Sequence, residues 1–228
     1  MEIHGLQKTT LLDFPGRVAC TVFLAGCNLR CPFCHNAPLV LHTPAPTLTD
    51  EEFFSFLKKR QGILDGVCIT GGEPTLRSDL PQFITKIRSL GFLVKLDTNG
   101  TNPAMLRRLL EDKLLDYVAM DIKNAPSRYA QTCGGADVLE TVRQSAALLM
   151  AGNTDYEFRT TCVHPLHDAK AMDEIGKWLA GAKSYYLQSF VDSGDLVGTG
   201  ISGLTPETME LLRQAVLPYI TNTHLRGI

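Results

Sequence analysis

Apolar positions along this chain follow two alternating patterns: short continuous runs, and longer stretches with helical spacing. The run Val18–Leu24 (VACTVFL) is apolar at almost every position, as a strand buried on both faces requires. Short β-rich runs at Val67–Thr70, Leu93–Leu96, Tyr117–Met120, Tyr156–Cys162 and Tyr185–Phe190 predict further strands. Helices are predicted between them. Thr49, with Glu52 three residues later, makes a capping box ahead of the apolar positions Phe53, Phe54, Phe56 and Leu57. Ser78 is expected to cap a helix that reaches Leu90 and stops at Gly91. Asn102-Pro103 opens another, to about Lys113, with proline at the first helical position. Helices over Asp137–Met150 and Asp168–Ala180 follow, and Thr205-Pro206 caps a last one to about Tyr219.

Strand followed by helix in single succession implies parallel strands joined by helical crossovers. The expected fold is α/β, a partial (β/α)6 TIM-like barrel with parallel strands; a doubly wound sheet is the alternative. No linker, low-complexity segment or repeat interrupts the pattern. Residues 1–228 therefore read as one domain, with the N-terminal segment 1–17 expected at the barrel mouth. The glycine-rich stretch Asp192–Gly203 is expected to be a surface loop.

Composition narrows the function by exclusion. The 228 residues are 44% hydrophobic and 20% charged, with a net charge of −2, so no basic excess points to nucleic acid. No apolar stretch approaches the ~20 residues of a membrane span. The N-terminus lacks a basic region followed by an apolar run, so the cytoplasm is expected. Disulfides are rare there, and clustered cysteines read as metal or redox sites. Of seven cysteines, three lie close together: Cys27, Cys31 and Cys34. Cys20, Cys68, Cys133 and Cys162 are scattered and read as small buried hydrophobes.

The polar motifs fall at the ends of the predicted strands. Gly26–Cys34 follows the first, Gly71-Gly72-Glu73-Pro74 the second, Asp97-Thr98-Asn99-Gly100 the third and Asp121-Ile122-Lys123 the fourth. Arg159 lies within the fifth and Gln188 near the end of the sixth. Parallel α/β folds gather ligand sites at the C-terminal ends of strands, so one site is expected there. The cysteines are spaced C-x3-C-x2-C in GCNLRCPFCHN. Thiolates suit iron–sulfur clusters or zinc. A structural zinc site needs four ligands, and neither His35 nor Cys20 is well placed to be the fourth. Three thiolates on one loop suit a [4Fe-4S] cluster with one iron left open.

The other motifs have bland readings too. Gly71–Pro74 could be a plain strand-to-helix turn, and Asp97–Gly100 an Asx-type turn. Asp121 and Lys123 project from the same side of an extended segment and could be a surface ion pair. His164 and His167 flank Pro165 and read as parts of a loop turn.

C-x3-C-x2-C, with the aromatic Phe33 just before its last cysteine, resembles the radical SAM superfamily. That resemblance implies an open iron that binds the methionine half of S-adenosylmethionine. It implies contacts to that ligand from Phe33, Gly71, Gly72, Glu73, Asp97, Thr98, Asn99, Asp121, Lys123, Arg159 and Gln188. Among these, Lys123 would meet the methionine carboxylate with Asp121 orienting it. Asp97 and Thr98 would suit ribose hydroxyls or a cation, and Glu73 the ligand ammonium or an organising role.

DTNG followed by D-x-K, with Asp13-Phe14-Pro15-Gly16-Arg17 ahead of the cysteines and His35-Asn36 after them, is similar to the branch that activates glycyl radical enzymes. Asp13, Pro15, Gly16 and Arg17 are then expected near a partner's glycine loop. The N-terminal LLDFPGRVACTVFLAGCNLRCPFCHN and the C-terminal YYLQSF and LRGI point to anaerobic ribonucleoside-triphosphate reductase as that partner, with a low-potential donor such as flavodoxin. The chain departs from some relatives: between Cys34 and Gly71 the only cysteine is Cys68, so a cysteine-rich insertion is absent. Leu187–Phe190 also lacks the histidine of pyruvate formate-lyase activators. A radical SAM enzyme of a small molecule, using Arg159, His164, His167, Asp192 or Asp195, is the second reading. A non-enzymatic metal-binding module is the third.

Overall fold

The computed structural model describes every residue from 1 to 228 except Thr43 and Ser193. The fold is α/β, and among the described residues eight strands form a mostly parallel sheet in chain order. They are β1 (Gly5–Thr10), β2 (Ala19–Leu24), β3 (Gly66–Gly71), β4 (Leu93–Thr98), β5 (Tyr117–Asp121), β6 (Asp155–Cys162), β7 (Tyr185–Ser189) and β8 (Thr223–Arg226). The helices are α1 (Ala37–Leu41), α2 (Asp50–Lys58), α3 (Leu80–Ser89), α4 (Pro103–Glu111), α5 (Tyr129–Thr132), α6 (Leu139–Ala151), α7 (Ala169–Trp178) and α8 (Pro206–Val216). No helix of the described residues is long and apolar enough to cross a membrane.

The chain divides into two compact units. The first comprises Met1–Asn28, Pro38–Thr98 and Ala104–Ala119. In it β2, β3 and β4 pair in parallel, and β1 runs antiparallel along β2. The inner strands are largely apolar because both faces are buried: Ala19, Cys20, Val22, Val67, Cys68, Ile69, Val94 and Leu96 are all at 0% exposure, with Lys95 of β4 as a buried charged exception. Helices pack through their apolar stripes, with Phe53 of α2 stacked on Phe83 of α3 at 5.4 Å. The second unit comprises Leu29–Ala37, Asn99–Pro103 and Met120–Ile228. There β6, β7 and β8 are parallel.

All six expected strands and the capping box at Thr49 are present. Two strands carry no apolar run and went unpredicted. GLQKTT forms β1 as an edge with exposed polar side chains, and THLR forms β8, where one bidentate pair substitutes for apolar packing. In that pair Arg226 reaches buried Glu157 at 3.0 and 3.1 Å, and its guanidinium lies 3.9 Å over the Tyr186 ring. Ser78 is not the cap of α3. Asp79 takes that place without a side-chain cap bond, and Pro81 is the second residue of the helix. The expected loop at Asp192–Gly203 contains Ser193, which lies outside the described residues. The rest of it has no helix or named strand, and Ser202 bridges His164.

Candidate functional site

In the first unit β2 runs directly into Ala25–Asn28, the start of the cysteine loop, which carries Cys27. That start is fixed by one bond to a side chain and one to the backbone. Ala25 N–H donates to His4 Nδ1 at 3.1 Å, and Gly26 N–H donates to Leu39 O at 2.9 Å. The turn after β3 is fastened to the same segment. Gly72 N–H donates to Leu24 O at 2.7 Å, and Glu73 N–H to Gly26 O at 2.8 Å. The glycines make this approach possible. A Cβ on Gly71 would lie 2.3 Å from Leu24 O, and one on Gly72 would lie 2.0 Å from Gly26 O. The close approach these glycines serve here is to the chain's own backbone.

Glu73 is buried at 1% exposure. Its Oε1 accepts from Thr75 N–H at 3.0 Å, from the Thr75 hydroxyl, and from the Thr98 hydroxyl at 2.8 Å. Glu73 thus joins the ends of β3 and β4, an organising role. Beside Thr98, Asp97 pairs with Lys95, and the Cys68 thiol donates to Asp97 Oδ1 at 3.7 Å. Cys68 is therefore not a plain buried hydrophobe. Cys20 is one: burial alone pushes its thiol up to about 12.

Between β1 and β2 the chain makes a hydrogen-bonded turn. The Thr10 hydroxyl accepts from Leu12 and Asp13 N–H, both at 3.2 Å, and the Asp13 carboxylate accepts from Thr21. Arg17 N–H donates to Phe14 O at 3.1 Å, with Pro15 and Gly16 (φ +69°) at the corner. Phe14 is buried, while Pro15, Gly16 and Arg17 are exposed.

In the second unit Cys34 N–H donates to Cys31 O at 3.1 Å, closing a turn over Pro32-Phe33. Arg30 N–H donates to Cys133 O at 3.3 Å, and Gly198 N–H to Pro32 O at 2.9 Å. A hydrogen bond from the Cys133 thiol holds the Cys31 thiol below the ordinary thiol range, with Lys123 assisting, against burial. Burial pushes the Cys34 thiol up. Phe33 lies edge-on to His167 at 5.9 Å, and His35 stacks on Phe190 at 5.1 Å.

Asp121, Lys123 and Arg159 are brought together. Lys123 Nζ lies 3.0 Å from Asp121 Oδ2, and Arg159 Nε 2.9 Å from Asp121 Oδ1. The side chains are 29%, 19% and 13% exposed, so this is a mostly buried triad and not a solvated surface pair. Burial would raise the Asp121 carboxyl, but Arg159 and then Lys123 outweigh it and bring it to about 2. Burial alone would lower the Lys123 ammonium, but Asp121 raises it above its ordinary range. His167 fixes the Lys123 backbone. Its Nδ1 accepts from Val163 N–H at 3.0 Å, which leaves Nε2–H to donate to Lys123 O at 3.0 Å. Asn99 Oδ1 accepts from Thr101 N–H at 3.0 Å and from its hydroxyl at 2.7 Å, the Asx turn its sequence allowed. Gln188 is half-buried on β7, in register with Thr161 and Arg226.

Lys95, Cys133 and His167 are the residues that sequence reasoning undervalued. Lys95 had a signal, a lysine two residues before Asp97 inside an apolar strand. All seven cysteines are free thiols. Among the described residues no three His, Cys, Asp or Glu side chains are placed to hold a single ion. A site-differentiated cluster asks for something different, three thiolates that each take their own iron, and the C-x3-C-x2-C loop supplies that donor set.

A family model described as the Radical SAM superfamily matches residues 21–179. A Methanocaldococcus jannaschii protein named "Putative glycyl-radical enzyme activating enzyme MJ1227" is 33% identical over 193 residues, covering 82% of this chain and 79% of the relative. The pyruvate formate-lyase-activating enzyme of Clostridium pasteurianum is 33% identical over 131 residues, 54% of this chain and 52% of that enzyme. Among solved structures, Streptococcus suis SuiB bound to S-adenosylmethionine superposes with a TM-score of 0.70 at 14% identity, over 91% of this chain and 52% of SuiB. That last likeness is one of fold. The chain spans about half the length of SuiB and of the Clostridium enzyme.

Proposed function

From the premise that the chain belongs to the radical SAM superfamily, we propose that it is an activating enzyme which cleaves S-adenosylmethionine reductively and leaves a glycyl radical on a partner enzyme. The superfamily uses a [4Fe-4S] cluster and S-adenosylmethionine. Cys27, Cys31 and Cys34 would hold the cluster through three irons. When bound, cluster and S-adenosylmethionine together supply an electron and a 5′-deoxyadenosyl group able to take a hydrogen atom from a glycine Cα.

This chain's residues bind and orient. Lys123 meets the methionine carboxylate, and Asp121 holds Lys123 and Arg159 in place. Asp97, at the end of β4, would meet the ribose hydroxyls, and Thr98, whose hydroxyl donates to Glu73, would hold the strand end beside it. Gly71, Gly72 and Glu73 shape the start of the cysteine loop, and Phe33, Asn99 and Gln188 complete the ligand's surroundings. The turn at Asp13, Pro15, Gly16 and Arg17, its last three residues exposed, would receive the partner's glycine loop. The observation that carries the reading is the cysteine loop itself: three free thiols in C-x3-C-x2-C directly after a buried parallel strand, with the GGE turn hydrogen-bonded onto its first residues.

The partner proposed is anaerobic ribonucleoside-triphosphate reductase, with a flavodoxin-type protein as donor. Anaerobic incubation of the reduced protein with S-adenosylmethionine and that reductase is expected to give a glycyl-radical doublet by EPR. A doublet only with a pyruvate formate-lyase would reassign the partner. Cleavage with no protein radical on any glycyl radical enzyme tested would instead favour a small-molecule substrate.

A further inference from the structure

We propose that Lys95 is a positioning residue, an internal counter-ion that holds and aims Asp97 for the ribose hydroxyls of S-adenosylmethionine. The inference rests on the assignment of Asp97 to that ligand.

Lys95 and Asp97 stand two apart on β4, so their side chains leave the same face of the strand. Lys95 is 1% exposed and is among the largest fully buried side chains of the protein. Lysine is almost never buried to this extent unless paired. Its partner is the Asp97 carboxylate, itself 14% exposed. The parallel register sets Cys68 of β3 directly beside Lys95. Lys95 Nζ lies 3.8 Å from Cys68 Sγ, and the Cys68 thiol in turn donates to Asp97 Oδ1. Lys95 and Cys68 thus converge on one carboxylate oxygen from the strand interior.

A buried ion pair of this kind is weak support for stability, because removing both charges from water costs as much as the attraction returns. Its use is geometric. The carboxylate is pulled toward Nζ and cannot rotate freely, at the strand end where ligand sites of parallel sheets form. A ribose diol offers two hydroxyls that a fixed carboxylate can accept together. Without the ammonium, the same carboxylate, 14% exposed, would lose its charged partner and keep a weaker one in the Cys68 thiol. Thr98, the next residue, is held by Glu73, so neighbouring groups at this strand end are both anchored from inside.

The test uses the anaerobically reconstituted protein and two probes, S-adenosylmethionine and 5′-methylthioadenosine, in equilibrium dialysis. Lys95→Met is expected to weaken both by about ten-fold or more, the scale of a charge-assisted contact, while iron content stays at the wild-type level. In Lys95→Ala, added ethylammonium should restore part of the affinity, which a purely structural role for Lys95 would not permit. Thermal unfolding of Lys95→Met, Asp97→Asn and the double variant supplies a readout free of ligand. The double variant should be more stable than the sum of the single losses predicts. Unchanged affinity in Lys95→Met, absence of amine rescue, or additive unfolding losses would each overturn the proposal. Failure of the wild-type protein to bind either probe would instead overturn the assignment of Asp97, and the unfolding cycle would still decide whether the two charges are coupled.

Discussion

Replacing Gly72 with alanine is expected to strip the protein of most of its cluster iron while leaving its secondary structure in place. The added Cβ would sit 2.0 Å from Gly26 O and 2.6 Å from Gly26 C, and both are backbone atoms that cannot rotate aside. The two segments must separate, breaking the bonds from Gly72 N–H to Leu24 O and from Glu73 N–H to Gly26 O. Each such bond is worth about 1 kcal/mol, a loss the domain can survive. The cysteine loop cannot be displaced so cheaply, because Cys27 follows Gly26 directly and a cluster tolerates little error in its ligands. Iron and sulfide assays on anaerobically purified protein, beside far-UV circular dichroism, would check this. Wild-type iron content in Gly72→Ala would show that the GGE turn does not support the cluster loop.

Asp121→Asn is expected to cost about 3–5 kcal/mol of stability, since it leaves two mostly buried cations without their shared carboxylate. The substitution keeps shape and volume, so the loss reports charge. S-adenosylmethionine binding should fall with it, because Lys123 and Arg159 lose the group that fixes them. Acid supplies an independent check. The carboxyl titrates at about 2 in the folded chain, below its ordinary value of ~3.9 when unfolded. Its contribution is therefore complete above about pH 4 and lost as pH falls through about 2. Thermal unfolding of wild type and variant should differ most near neutrality and converge in acid. An equal difference at all pH values would mean that Asp121 acts through packing and not through charge.

The parts of the fold that the sequence revealed are those with a single physical cause. A strand buried on both faces favours apolar residues at nearly every position, and Val18–Leu24 reads no other way. The Thr49 box, with its local hydrogen bonds, was equally plain. β1 and β8 were not visible, because edge strands hold their place by backbone pairing and, in β8, by an Arg226–Glu157 bond to a residue 69 positions away. The candidate site divides along the same line. Asp121, Lys123 and Arg159 could be named from charge placed among apolar neighbours, and they meet. The buried support behind the site was hidden: His167 behind Lys123 and Cys133 beside Cys31 are contacts between segments distant in the chain that no spacing rule announces, whereas Lys95, two residues before Asp97, was passed over although its spacing was open to view. The two glycines of GGEP were seen as turn residues, but what they approach, the backbone of Leu24–Gly26, depends on the parallel register of β2 and β3.

The central claim is that Cys27, Cys31 and Cys34 hold a cluster at which S-adenosylmethionine is cleaved. Its most direct test compares wild type with Cys31→Ala, each reconstituted anaerobically, reduced and given S-adenosylmethionine, with 5′-deoxyadenosine and methionine quantified by chromatography. Wild type is predicted to form the two products in equal amounts, and Cys31→Ala to form neither. Cleavage that survives in Cys31→Ala would contradict the account.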